Sequence, residues 1–190
     1  MCDVLIATKD SSMGMAGPPL VEAALGVKMT PEELGPASVH VASGVIDLLV
    51  DDESQAVALA RKYLAYFKGP HPKAEAADQT ALREVVPESP KRAYNVRKAI
   101  EILADKDSVL ELKPAYGRAI VTSLIRLEGR PVGVIANQPM FLAGAMDGPA
   151  CEKAARFVQL CDACDLPLLV LCAAPGLMVG PDIAAAGRVR

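Results

Sequence analysis

The chain has 190 residues, 20 Lys and Arg against 23 Asp and Glu, and 52% hydrophobic residues. This composition excludes an intrinsically disordered chain, and a net charge of −3 excludes the basic footprint of a nucleic-acid-binding protein. The most apolar run, residues 166–178, is broken by prolines and is shorter than the roughly 20 residues of a membrane-spanning helix. The N-terminus lacks the pattern of a signal peptide, and five scattered cysteines are typical of a reducing compartment, so a cytoplasmic protein is expected.

Residues 1–68 alternate apolar strand patterns with helix patterns. The predicted strands cover residues 3–8 and 43–50. Gly17-Pro18-Pro19 opens a predicted helix over residues 20–26, and two further helices are predicted to begin at Pro31 and Ser54. Gly26 ends the first of these helices as a C-cap. Thr30 precedes Pro31 and two glutamates, which is the pattern of an N-cap followed by acidic residues at the positive end of a helix. The third helix is amphipathic and extends to Phe67.

Residues 69–90 differ in composition from the segments on either side. They contain four prolines, several charges and few large apolar side chains. Such a segment is typical of a linker or a long connecting loop. We therefore predict one domain part in residues 1–68 and a second in residues 91–190, with the linker between them.

The second domain part continues the alternation. A helix opened by Ser89-Pro90 is predicted to run through Ala104. The predicted strands cover residues 109–112, 119–127, 131–137 and 167–172, with residues 128–130 as the turn of a hairpin. The longest helix follows Asp147 and extends to about Cys164, with Lys153 facing water. Its predicted apolar face consists of Ala150, Ala154, Phe157, Val158, Cys161 and Cys164. The pattern predicts an α/β protein in which helices cover a sheet.

Few side chains of this sequence are suited to acid–base or metal chemistry. His71 lies between prolines in the linker and is expected to be a solvated loop residue, and His40 is expected to have a structural role. Cys161 and Cys164 match CxxC, but no second pair of metal ligands accompanies them and they fall in the middle of a helix. We therefore interpret both cysteines as packing residues and expect no metal site.

Two junctions between a strand and a turn are better candidates for a site. Asn137 and Gln138 follow one strand and precede Gly144, and Pro175-Gly176 follows another strand. Ligands of open α/β sheets bind beyond the carboxyl ends of strands, where small residues let backbone N–H groups approach and stabilise an oxyanion. The alternative is that these glycines only turn the chain.

Several motifs in the right order resemble the carboxyltransferase component of biotin-dependent acyl-CoA carboxylases, of the propionyl-, acetyl- and methylcrotonyl-CoA carboxylase type. In residues 1–68 the resemblance rests on Gly17–Val21, Glu32–Gly35, Val39-His40 and Ser43-Gly44. In residues 91–190 it rests on Tyr94–Arg97, Glu111-Leu112, Tyr116-Gly117, the hairpin LEGRPVGVIAN, Asn137–Pro139, Lys153–Phe157, Gln159–Ala163, Pro167, Pro175-Gly176, Met178 and Gly180.

The resemblance implies a crotonase-like (ClpP/crotonase) superhelix of ββα units, with parts of two such domains in this chain. It implies carboxyl transfer from carboxybiotin, carried on a separate protein or domain, to the α-carbon of an acyl-CoA. Backbone oxyanion holes would stabilise the developing charge. The implied partners are a biotin carboxylase or biotin carrier subunit, and further copies of the chain or further carboxyltransferase segments. Asn137, Gln138, Gly144, Pro175 and Gly176 would line the cleft for acyl-CoA and biotin.

Departures from the family pattern leave the catalytic residues unassigned. The chain is expected to begin after the glycine pair that serves the CoA thioester and to end before the Gly-Ala pair that serves biotin. Ala173 replaces a usual acidic residue, and Leu177 replaces a usual phenylalanine. Activity of the chain alone is therefore not expected.

The sequence is also compatible with two other functions. One is a non-catalytic scaffold that associates through unpaired strand edges. The other is a crotonase-type hydratase or hydrolase of CoA thioesters, which would need paired carboxylates near the junctions. Asp147 is better interpreted as a helix N-cap than as one of such a pair.

Overall fold

A computed structural model describes residues 2–72, 74–89, 92–176 and 180 of the chain. The chain divides into two compact units, one up to Lys62 and the other from Tyr63 onward. Among the described residues, no helix is long and apolar enough to cross a membrane. The family-domain boundaries predicted at residues 69 and 90 stay a prediction, and Pro90 and Leu177 lie outside the described residues.

The first unit is built on a pair of short parallel strands. These are β1 (Ile6–Thr8) and β2 (Leu48–Val50), and the helices α1 (Pro18–Leu25), α2 (Pro31–Leu34) and α3 (Ala37–Ala42) lie between them in the chain. The helix α4 (Glu53–Ala65) follows β2 and continues into the second unit. Ala7, Ala37 and Ile46 form the buried core of this unit.

Local capping signals of the first unit are confirmed, whereas one strand is shorter than predicted. Gly26 is left-handed at the end of α1, and Thr30 forms a capping box with Glu33 at the start of α2. The strand predicted over residues 43–50 begins only at Leu48, and the helix α3 before it was not predicted. A turn replaces the first half of this strand, since the N–H groups of Val45 and Ile46 both donate to His40 O.

The second unit contains a four-stranded mixed sheet. Its strands are β3 (Leu110–Leu112), β4 (Ile120–Leu127), β5 (Arg130–Asn137) and β6 (Leu168–Leu171), arranged in chain order. The first three are antiparallel, as the predicted hairpin requires, and β6 runs parallel to β5. The helix α6 (Gly148–Ala163) connects these two parallel strands.

The helix α5 (Val96–Leu103) packs its apolar face on this sheet. Val96 and Ile100 contribute to a core with side chains of β4 and β5. The helix starts later than predicted, because Asn95 is its N-cap and accepts a hydrogen bond from Arg97 N. Ser89 is therefore not its cap.

Two predictions about burial in the second unit are wrong. The strand β6 is predicted to be buried, but in the described part of the chain it is the edge strand of the sheet, and Val170 is 60% exposed. On α6, Lys153 is buried instead of facing water, while Val158 and Cys164 are exposed. The helix α6 contacts the strand β4 and also, through Lys153, the loop that precedes β4. The buried face of α6 therefore differs from its apolar face.

The start of the predicted linker is fixed to the hairpin of the second unit. Arg126 donates to Ala65 O (2.7 Å), Gly69 O (3.1 Å) and Gly129 O (2.6 Å), and His71 N donates to Gly129 O (2.9 Å). Farther along the segment, residues Gln79–Glu84 form a 3-10 helix. The start of this segment therefore contacts the hairpin, and its later part contains a short helix.

Candidate functional site

The two predicted junctions meet at one end of the second unit's sheet, where the strands β5 and β6 terminate. Because β5 and β6 are parallel, their carboxyl ends lie side by side. Asn137, the last residue of β5, joins the segments that follow both strands. Its Nδ2 donates to Gly144 O at 3.0 Å, and its Oδ1 accepts from Ala173 N at 3.4 Å. Asn137 is buried, so this bridge fixes the two turns relative to each other.

Gly144 is required by this geometry. Its φ of +84° is in the left-handed region, and a Cβ at this position would lie 2.5 Å from Ala173 O. The two preceding residues, Leu142 and Ala143, also have positive φ angles, 47° and 52°. Three successive left-handed residues form a tight turn, and backbone strain of this kind is often found at functional sites. The N–H of Gly144 is used within the turn, where it donates to Phe141 O.

Pro175 and Gly176 lie at the exposed rim of the same end of the sheet. Gly176 O accepts from Met146 N at 3.3 Å, which is a second connection between the two turns. Apart from its neighbours in the chain, no atom of the described residues lies within 4 Å of the position where a Gly176 Cβ would stand.

Asp147 is the N-cap of α6 and not a free carboxylate. Its Oδ1 accepts from Ala150 N at 3.0 Å, as predicted. The carboxylate of an N-cap is committed to the first turn of its helix. Paired carboxylates for a hydratase would have to come from other residues, which weakens that alternative.

Gln138 points away from the turn and under the start of α5. It is 1% exposed, its amide group lies 2.7 Å from Asn95 Oδ1, and its N–H donates to Ala119 O. These contacts fix α5 to the end of β5. A direct role of Gln138 in ligand binding stays a prediction, as it does for the other four residues named from the sequence.

Lys153 is a buried cation that the sequence pattern failed to reveal. Its side chain comes from α6, and the residue is 2% exposed. Its Nζ donates to Lys113 O (2.8 Å), Tyr116 O (3.0 Å) and Ile120 O (2.9 Å), which uses all three of its N–H groups. Burial lowers the pKa of Lys153 to about 8. The side chain thus holds the loop before β4 against α6.

A half-buried ion pair lies beside Gln138. Arg97 Nε and Nη2 donate to the two carboxylate oxygens of Glu111 at 2.6 Å and 2.5 Å. Hydrogen bonding to Glu111 raises the pKa of Arg97 above its ordinary value. Both residues belong to the motifs that carry the family resemblance, although spacing alone gives no signal of their contact.

Arg118 is another residue that sequence reasoning did not single out. Its Cζ lies 3.7 Å from the centroid of the Phe141 ring, a cation–π contact. Phe141 directly precedes the left-handed turn of residues 142–144. The guanidinium of Arg118 therefore lies next to that turn. A single arginine before a strand matches no sequence motif, so the sequence alone does not identify it as a candidate site residue.

The cysteines of the CxxC segment differ in their surroundings. Cys161 is buried, and burial raises the pKa of its thiol to about 11, whereas Cys164 is exposed. All five cysteines are free thiols. Within the described part of the chain, no three His, Cys, Asp or Glu residues are grouped as a metal ion would require.

Comparison with known proteins identifies relatives over the whole chain. Residues 1–190 match the family described as "Carboxyl transferase domain". The propionyl-CoA carboxylase beta chain of Roseobacter denitrificans is 36% identical over 201 residues, which cover 100% of this chain and 39% of the relative.

Two solved structures are also similar. A single-chain, multi-domain long-chain acyl-CoA carboxylase superposes with a TM-score of 0.97 at 46% identity, covering 100% of this chain and 19% of that one. The hexameric transcarboxylase 12S with hydrolysed methylmalonyl-CoA bound superposes with a TM-score of 0.85 at 34% identity, covering 98% of this chain and 39% of that one. The chain thus spans about two fifths of the length of the curated relative it matches.

Proposed function

Because the chain belongs to the carboxyl transferase domain family, we propose that it is part of the carboxyltransferase component of a biotin-dependent acyl-CoA carboxylase. The reaction transfers a carboxyl group from carboxybiotin to the α-carbon of an acyl-CoA. The observation that carries this proposal is the family match over residues 1–190. The relatives' names agree, since they are acyl-CoA carboxylases and a transcarboxylase.

The chemistry needs positioned donors more than titrating side chains. As the N–CO₂ bond of carboxybiotin breaks, its electron pair passes to the ureido group of biotin, which would take the proton from the α-carbon of the acyl-CoA. The enolate that this leaves would form the new C–C bond with the released CO₂. Negative charge therefore develops on the ureido oxygen of biotin and on the thioester oxygen of the enolate. Backbone N–H groups in a dry site stabilise such charge without adding a titratable group. The geometry at the ends of β5 and β6 supports this chemistry. The buried amide of Asn137 and the left-handed turn of residues 142–144 hold the backbone that follows these two strands in place.

We also propose that the second unit contributes a ββα repeat of a crotonase-like superhelix. The antiparallel pair β4–β5 followed by α6 is such a unit, and β6 would begin the next one. Acyl-CoA would be the substrate, and biotin would arrive on a separate protein or domain together with its carboxylase. A cytoplasmic location is supported by the free state of all five cysteines.

A second function, a non-catalytic scaffold, is supported by one observation. Among the residues that the structure describes, the strand β6 is paired on one side only, and Leu168 and Val170 are 39% and 60% exposed. Unpaired, apolar strand edges favour association with another chain. A stable monomer in light scattering over a wide concentration range would contradict the scaffold function.

Reconstitution tests the proposed carboxyltransferase function. The chain is mixed with separately produced carboxyltransferase segments that flank the matched region in its relatives, together with biotin carboxylase, carrier and labelled bicarbonate. Label is expected in an acyl-CoA only when the chain and the flanking segments are both present. Complexes that form yet label none of acetyl-, propionyl- and palmitoyl-CoA would contradict the proposal.

A further inference from the structure

The guanidinium of Arg118 is exposed and without an acidic partner among the residues that the structure describes. Its one contact of note is the stacking over the Phe141 ring at 3.7 Å. No acidic side chain of the described residues forms an ion pair with it. A guanidinium stacked on a ring presents its N–H groups at its edge, where they can bind carboxylate or phosphate oxygens as a planar fork.

Arg118 lies at the same end of the sheet as the junctions. Its neighbour Ala119 accepts a hydrogen bond from Gln138 N at 2.9 Å, and Gln138 directly follows Asn137. Phe141, beneath the guanidinium, accepts from Gly144 N at 2.8 Å. The positive charge is thus placed next to the turn that Asn137 connects to the end of β6.

The loop that carries Arg118 is held firmly in place. Lys153 donates to the carbonyls of Tyr116 and Ile120, which lie on either side of Arg118 in the chain. Gly117 packs directly on α6, since a Cβ at that position would lie 2.7 Å from Pro149 O. A cation on a fixed loop loses little conformational entropy when it binds an anion. Arg118 is therefore better suited to bind an anion than an arginine on a mobile surface loop.

We propose that Arg118 is a binding residue for an anionic oxygen group of the substrate, positioned by Lys153. This inference rests on the proposed function, whose substrates carry two such groups: the phosphates of CoA and the carboxyl group that is transferred. Lys153 acts through the loop and does not touch the ligand itself.

The test measures binding by isothermal titration of the whole chain with CoA, propionyl-CoA and methylmalonyl-CoA. The variant R118Q removes the charge, R118K keeps the charge without the planar fork, and R130Q is the matched control. Arg130 is also an exposed arginine, at the opposite end of β5. We expect R118Q to weaken binding about tenfold, R118K to restore part of the loss, and R130Q to bind like wild type.

The three ligands separate the possible sources of the anion. Weaker binding of all three to R118Q assigns the CoA phosphates, and weaker binding of methylmalonyl-CoA alone assigns the transferred carboxylate. Wild-type affinity of R118Q for every ligand would overturn the inference and leave the proposed function intact. A loss of affinity in R130Q as large as that in R118Q would do the same. A wild-type chain that binds none of the three would overturn the inference alone, because the reconstitution with flanking segments tests the proposed function separately. Thermal melting of R118Q is expected to match wild type, because no buried contact is removed.

Discussion

Replacing Lys153 by methionine is expected to destabilise the second unit by about 3 kcal/mol. The change removes three charge-assisted hydrogen bonds from Nζ to carbonyl oxygens, each worth about 2 kcal/mol. It also removes a buried ammonium, whose pKa falls from 10.5 to about 8. At about 1.4 kcal/mol per pKa unit, relief of that burial offsets about 3.5 kcal/mol of the roughly 6 kcal/mol that the three hydrogen bonds contribute. Methionine keeps the apolar stem, so no large cavity is added to the loss.

Urea unfolding at pH 7 measures this change. K153M should unfold at a lower midpoint with an unchanged slope, and K98M is the control, because Lys98 is an exposed lysine on α5. The control should lie within about 0.5 kcal/mol of wild type. A K153M variant as stable as K98M would refute the reasoning, since three carbonyls of the loop would then need no donor.

The stability difference between wild type and K153M should also depend on pH. The folded pKa of Lys153, about 8, lies below its value of 10.5 in the unfolded chain. Between these values the unfolded state binds more protons, so the contribution of Lys153 to stability rises with pH. From pH 8 to pH 9 the difference should grow by about 1 kcal/mol. A difference that stays flat or shrinks would contradict the lowered pKa.

The remaining predictions concern the turn, the hairpin and the thiols. G144A should destabilise the second unit by about 2 kcal/mol or more, because its Cβ would meet Ala173 O at 2.5 Å and its φ is positive; an unchanged melting temperature would contradict the turn geometry. D105A should cost about 2 kcal/mol in urea unfolding, because Asp105 accepts from two N–H groups of the hairpin turn, and wild-type stability would show that water replaces it. Cys164 should react with a thiol reagent in the native state while Cys161 should not, and mass spectrometry of the labelled chain should find Cys161 modified only after unfolding.

The features that sequence reasoning predicted correctly depend on neighbouring residues. Thr30 and Asp147 are N-caps in the structure because a cap is completed within its own first turn. The hairpin of β4 and β5 was predicted for the same reason, since a tight turn at Glu128-Gly129 fixes its register.

The features that sequence reasoning missed depend on distant residues. Lys153 was predicted to face water because it is charged, and only the loop before β4 supplies the carbonyls that make its burial favourable. The apolar residues of β6 were predicted to be buried, but a strand pattern does not say how many neighbours the strand has. The contact of Asn137 with Gly144 and Ala173 requires the parallel pairing of β5 and β6, which neither strand encodes alone.

A chimera tests the central claim most directly. The segment of the Roseobacter denitrificans propionyl-CoA carboxylase beta chain that matches this sequence is replaced by residues 1–190, and fixation of labelled bicarbonate into propionyl-CoA is measured with the partner subunits present. We predict that the chimera fixes label and that G144A in the chimera abolishes most of it. A chimera that assembles to the size of its parent and carboxylates no acyl-CoA would contradict the claim that this chain is part of a carboxyltransferase.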